Sequence, residues 1–189
     1  MKKLVLIIAI VALPIMTFGQ SIFDKFEDMD GVTSVVVNQK MFKMLASIEV
    51  NLDDKEDQEY FDLIKKITSL KVLTTGDSKI SAEMKAKVNS YLKSTQLEEL
   101  MRIKDGDQTV KFYVKEGKDE NHVEELLMFV TGLKEFTKGK DISINGEKRE
   151  IETVLLSLTG DIDLKQISKL TSKMDLPGGK HLEKAGDKN

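Results

Sequence analysis

"LEELMRIKDGDQTVKFYVKEGKDENHVEELLMFVTG", spanning Leu97–Gly132, is where the apolar residues change from helical spacing to a spacing of two. Val110, Phe112 and Val114 alternate with polar neighbours, so one face of an extended chain is apolar and the other is not. Asp105-Gly106 stands where a tight turn requires positive φ, and the polar run "KDENH" makes a second connection. The stretch therefore predicts two or three antiparallel strands, with His122–Thr131 among them, although "VEELLMFV" can equally be drawn as a helix.

Upstream the pattern is mixed. Ile22, Phe23 and Phe26 share one helical face over about Ser21–Asp28, Gly31 breaks it, and the β-branched run Val32–Val37 reads as a strand. Met41, Phe42, Met44, Leu45 and Ile48 return to helical spacing, with Asn38 placed to cap the first turn. Tyr60, Phe61, Ile64, Ile67 and Leu70 predict a further amphipathic helix, followed by a short strand at Lys71–Thr75. A helix over about Ser81–Lys93 carries Met84, Val88, Tyr91 and Leu92 on one side.

Downstream, Leu133–Arg149 is a charged excursion with an Asn145-Gly146 hairpin signal. A strand at Ile151–Leu158 and a helix from about Asp163 to Met174 close the fold. Together these predict an α+β fold: a mostly antiparallel sheet of about five or six strands with helices packed on one face. No linker divides it.

The chain begins "MKKLVLIIAIVALPIMTFGQS", with two lysines, an apolar run too short to span a bilayer, and small residues before Gln20. The expected organisation is a signal peptide over 1–19, one domain over 20–176 and a flexible tail over 177–189. Cysteine is absent, which excludes a lipid-modified N-terminus, disulfides, thiolate metal sites and cysteine nucleophiles. Loss of Lys2 and Lys3 with the leader leaves 27 basic residues against 32 acidic, a net charge of −5. That balance argues against nucleic acid as a partner, and the lack of tryptophan argues against stacking platforms.

Five features of the sequence are candidates for chemistry. Thr75-Gly76-Asp77 and Thr159-Gly160-Asp161 read as two strand exits, each followed by a helix capped by Ser81 or Asp163; they lack the glycines and lysine of a phosphate loop. "DMDG" (Asp28–Gly31) starts like a calcium loop, but Val32 and Gln39 occupy the fifth and twelfth positions, where ligands are required. Asp53, Asp54, Glu56, Asp57 and Glu59 read as a solvated helix start. His122 and His181 lack a second histidine at ligand spacing, and no nucleophile motif accompanies them. Met41, Met44, Met84, Met101, Met128 and Met174 read as core filling. Catalytic, cofactor-binding and metal residues are accordingly expected to be none, and enzyme is disfavoured.

The stretches "FDKFEDMDGVTSVVVNQKMFKML", "LEELMRIKDGDQTVKFYVKE" and "VLLSLTGDIDLKQISKL" resemble the family called domain of unknown function 4252, small exported proteins of the Bacteroidota. The resemblance implies a periplasmic or extracellular location, no established activity, and an association with sigma-factor and anti-sigma stress signalling. The expectation is a non-enzymatic envelope interaction or sensing module, free of any membrane span after cleavage, with an unknown envelope protein or small ligand as partner. The alternatives are a carrier of small apolar ligands in the periplasm and an unrecognised hydrolase.

Overall fold

In the computed structural model, residues 23–47, 55–138, 143–144, 147–148 and 150–167 are described. The expected signal peptide, the acids at Asp53 and Asp54, Met174, His181 and the expected tail lie outside them.

The elements run α1 (Asp24–Glu27), β1 (Val32–Asn38), α2 (Gln39–Ala46), α3 (Lys55–Lys66), β2 (Ile67–Thr75), α4 (Ser78–Ser94), β3 (Glu98–Asp105), β4 (Gln108–Glu116), β5 (His122–Thr131), α5 (Lys134–Thr137), β6 (Ser143–Ile144), β7 (Glu147–Lys148) and β8 (Thr153–Asp163). The strand reading of "VEELLMFV" therefore holds over the helical one. Six strands form one antiparallel sheet in the order β1-β2-β8-β5-β4-β3, and β6 pairs with β7 in a separate two-stranded sheet. The α+β class and antiparallel sheet are those expected.

Helices cover both faces of the sheet, not one. On the first face, Phe42 of α2 and Leu63 of α3 pack with Ile67, Val110, Phe112, Val114, Leu126 and Leu158. On the second, Phe23, Phe26 of α1, and Met84 and Val88 of α4 pack with Leu73, Tyr113, Leu127, Phe129 and Leu155. The central strands are apolar at successive positions, as in "VLLSL" and "LLMFV", so each must be buried from both sides. Alternation confined to β4 misled the one-face expectation.

Local chemistry fixes the ends of the helices. Asn38 Oδ1 accepts from the Met41 amide at 3.1 Å, the cap that the sequence predicts for α2. In the first Thr-Gly-Asp, Asp77 is the cap: its Oδ1 accepts from Lys79 N at 2.7 Å and Ile80 N at 3.0 Å. The amides of Ile80 and Lys79 hold its carboxyl below the usual range. Ser81, expected in that role, is instead buried inside α4, with its hydroxyl 2.6 Å from Thr153 Oγ1 at the start of β8. Asp163 does cap the final helical segment, accepting from Lys165 N and Gln166 N.

The second Thr-Gly-Asp is not a strand exit. β8 continues through Gly160 to Asp163, and its pairing with both neighbours shifts register near this point. Gly160 has φ +147°, and a Cβ there would lie 2.3 Å from the Lys66 carbonyl oxygen, so only glycine fits this bulge. β2 also begins at Ile67, earlier than expected, because Ile67 pairs with Gly160 and Leu70 with Leu158. Gly160→Ala is expected to lower stability by about 2–3 kcal/mol or more, from backbone strain and the clash together. Gly106→Ala, in open space at φ +55°, should cost only about 1–2 kcal/mol, the two being compared by urea denaturation.

Candidate functional site: an uncharged sheet edge

The strand order leaves β1 and β3 as the outer strands, and they differ in kind. β3, "EELMRIKD", carries charges at Glu98, Glu99, Arg102, Lys104 and Asp105, and a register shift between Glu99 and Met101. Charges and bulges are the usual means by which an edge repels a further strand. β1, "VTSVVVN", contains neither. Its Val35 and Val36 are 51% and 47% exposed, and Met41 and Met44 of the adjoining α2 are 42% and 55% exposed. These two methionines are on the surface, contrary to the core-filling expectation, whereas Met84 is fully buried and Met101 and Met128 are partly so.

Val35 and Val36 point to opposite faces, as their neighbours show: Val37 packs in the core under α2, Val32 in the one under α1. β1 is held from behind. Lys71 of β2 reaches Asp24 and Glu27 of α1, and Ser34 donates to the Glu27 carbonyl at 2.7 Å. Burial alone would lower the Lys71 pKa, but the two carboxylates override it and hold the ammonium above its ordinary range. Thr75 Oγ1 donates to the Gly31 carbonyl at 2.8 Å, fixing the turn into β1. The edge is thus a positioned surface.

Two polar clusters also bring titratable groups together. The first surrounds His122 at the start of β5. Its Nδ1 lies 2.7 Å from Asp119 Oδ1 and its Nε2 lies 3.9 Å from Asp161 Oδ1, while Lys118 donates to Asp161 Oδ2 at 2.7 Å. Hydrogen bonds from His122 and Lys118 hold the Asp119 and Asp161 carboxyls, respectively, below their usual range. The aspartate of the second Thr-Gly-Asp therefore joins the β4–β5 connection to β8. Among the described residues no hydrogen bond joins a hydroxyl nucleophile to this histidine, and they include no group of three or more His, Asp or Glu placed to hold a metal.

The second cluster was missed by sequence reasoning. Glu125, only 8% exposed, sits between the sheet and α4, where Tyr91 donates to its Oε2 at 2.8 Å and Ser157 to its Oε1 at 3.4 Å. Burial pushes its pKa up, against the opposing effect of these hydrogen bonds, and burial beside the carboxylate also pushes Tyr91 up. The signal was the period of two, which places Glu125 in line with Leu127 and Phe129. Tyr91 meets Phe23 edge-on at 5.4 Å, so the pair joins α4, α1 and the sheet.

The space beside it is filled: Leu73, Met84, Leu127 and Leu155 are fully buried. A depression of about 300 Å³ between α1 and α4 is lined by Lys25, Glu83, Ala86, Lys87 and Ser90, and a Lys25–Glu83 ion pair spans its lining. No described helix is long and apolar enough to cross a membrane.

The model of the family described as Domain of unknown function (DUF4252) matches residues 26–170. The chain belongs to the DUF4252 family. No curated protein and no solved structure matches it. The family match takes in the whole of β1, both polar clusters and the β8 bulge, so each lies within the family domain.

Because the folded pKa of Glu125 is raised, its neutral form is favoured on folding. The resulting stability is fully present below the unfolded carboxyl pKa and is lost as pH rises through the folded value. Glu125→Gln keeps an acceptor for Tyr91 without the charge. It should be more stable than the parent by about 1 kcal/mol at pH 8, the gap closing at pH 4, as read by denaturation at the two pH values.

Proposed function

We propose that this DUF4252 chain is an exported, non-enzymatic interaction module that recruits its partner by adding a strand to the β1 edge. The single observation carrying this reading is the contrast between the two edges, one charged and bulged, the other uncharged with exposed valines. An exposed edge offers a row of main-chain donors and acceptors, and the side chains beside it supply selectivity. Export is supported by the basic, apolar and small-residue layout of residues 1–19.

The carrier and hydrolase readings have less behind them. A carrier needs a roomy apolar cavity, whereas the layer between sheet and α4 is occupied by Met84, Val88 and Leu73. A hydrolase needs carboxylates free to act in a cleft, whereas Asp161 and Asp119 are engaged by Lys118 and His122 at an exposed end of the sheet.

The test is capture from envelope fractions with the parent chain and with Val36→Lys. The lysine should abolish recovery of the partner while changing stability by less than about 0.5 kcal/mol, since the site is half exposed. Recovery of the same partner at the same yield by both proteins would overturn the reading, as would repeated recovery of none by the parent.

A further inference from the structure

We infer that the strand added to β1 is β1 of a second copy of this chain, in antiparallel register about Val35. This rests on the reading of β1 as a docking edge and names its occupant. A matching strand must be apolar in its middle and must bring charges that suit the ends of β1. The entry to β1 is acidic, with Asp28 and Asp30 exposed, and its exit is basic, with Lys40 and Lys43 exposed. An antiparallel strand of the same sequence sets the acidic entry of each copy beside the basic exit of the other. The edge is complementary to itself, which is the property an isologous two-fold interface requires.

The register follows from the pleat. Two strands joined about a two-fold axis perpendicular to the sheet keep their faces, so directly opposed residues must point the same way. Val35 and Val36 point to opposite faces, so the axis passes through a residue and not between two. Placing it at Val35 opposes Val35 to Val35 of the second copy, Ser34 to Val36, and Val32 to Asn38, so that all seven residues of β1 pair. Placing it at Val36 would instead pair only residues 34–38, five of the seven in β1.

On the face of α2, the Val35 pair lies on the same side as the helix that carries exposed Met41 and Met44. A seven-residue strand buries little by itself, below the roughly 1,200 Å² of a stable interface, so these methionines provide the adaptable apolar contact beside the strands. The product is a continuous sheet of two six-stranded halves, with only the charged β3 edges left outside.

The absence of cysteine makes the register directly testable in protein purified after export. Sedimentation velocity should show a reversible dimer whose fraction rises with concentration, and Val36→Lys should raise its dissociation constant at least tenfold, with an unchanged melting temperature at concentrations where both proteins are monomeric. Under mild oxidation Val35→Cys should link to itself. Ser34→Cys and Val36→Cys should link when mixed and far less when each is alone. A monomer at every concentration, a dimer indifferent to Val36→Lys, or a Val35→Cys thiol that stays unlinked would each overturn the second copy as occupant. A monomer that still captures an envelope partner lost on Val36→Lys would leave the docking edge standing. Failure of both would remove the edge itself.

Discussion

β8 holds this structure together by lying between β2 and β5, and it is the last strand of the sheet in the sequence. Among the described strands, nothing else pairs the β1–β2 pair with the β3–β4–β5 meander. Both faces of β8 are buried, Leu155 under α1 and α4 and Leu158 under α2 and α3, so it serves both apolar layers. Gly160 is the condition for this, since a side chain there would strike the Lys66 carbonyl. The long excursion that precedes β8 leaves and returns at one place: Leu133 N donates to Glu152 O, and Thr137 Oγ1 bonds both the amide and the carbonyl of Ile151.

That insertion determines which strands are left outside. A last strand added at an edge would have covered β1 or β3; one placed centrally leaves both as the outermost strands. β3 meets the exposure with charges and a bulge, the ordinary defence of a sheet edge. β1 meets it with threonine, serine and valine, while α1 and Lys71 hold it from behind. The polar groups elsewhere are used for joining elements: Ser81 with Thr153, Thr68 with Thr159, and Tyr91 with Glu125 each connect segments far apart in the chain. At β1, by contrast, it is charge that is missing from an edge.

Much of this was legible in local pattern. The alternation from Val110 to Val114, the Asp105-Gly106 turn and the Asn38 cap each depend on a few consecutive residues, and each is where the sequence places it. What was not legible depends on distant residues. Ile67 and Leu70 continue the helical spacing of Ile64, and only pairing with Gly160 and Leu158 draws them into β2. Gly160 reads as a strand exit until a second backbone is seen crowding its Cα. An amphipathic helix announces that it has an apolar face but not which side of a sheet it covers, so local pattern does not separate two helical layers from one. The β1 edge was in view as an uncharged "TSVVVN", but its significance required the strand order. Glu125 stood in line with Leu127 and Phe129, and a single carboxylate in an apolar row was the available sign of a buried one.

The central claim is that β1 is an edge made to be paired and β3 is not. Amide hydrogen exchange read by mass spectrometry on peptides covering the two strands tests it most directly, at low and at high protein concentration. The account predicts that exchange in Val32–Asn38 slows markedly on concentration while exchange in Glu98–Asp105 does not change. Equal protection of β1 at both concentrations, or equal slowing of the two strands, would contradict it.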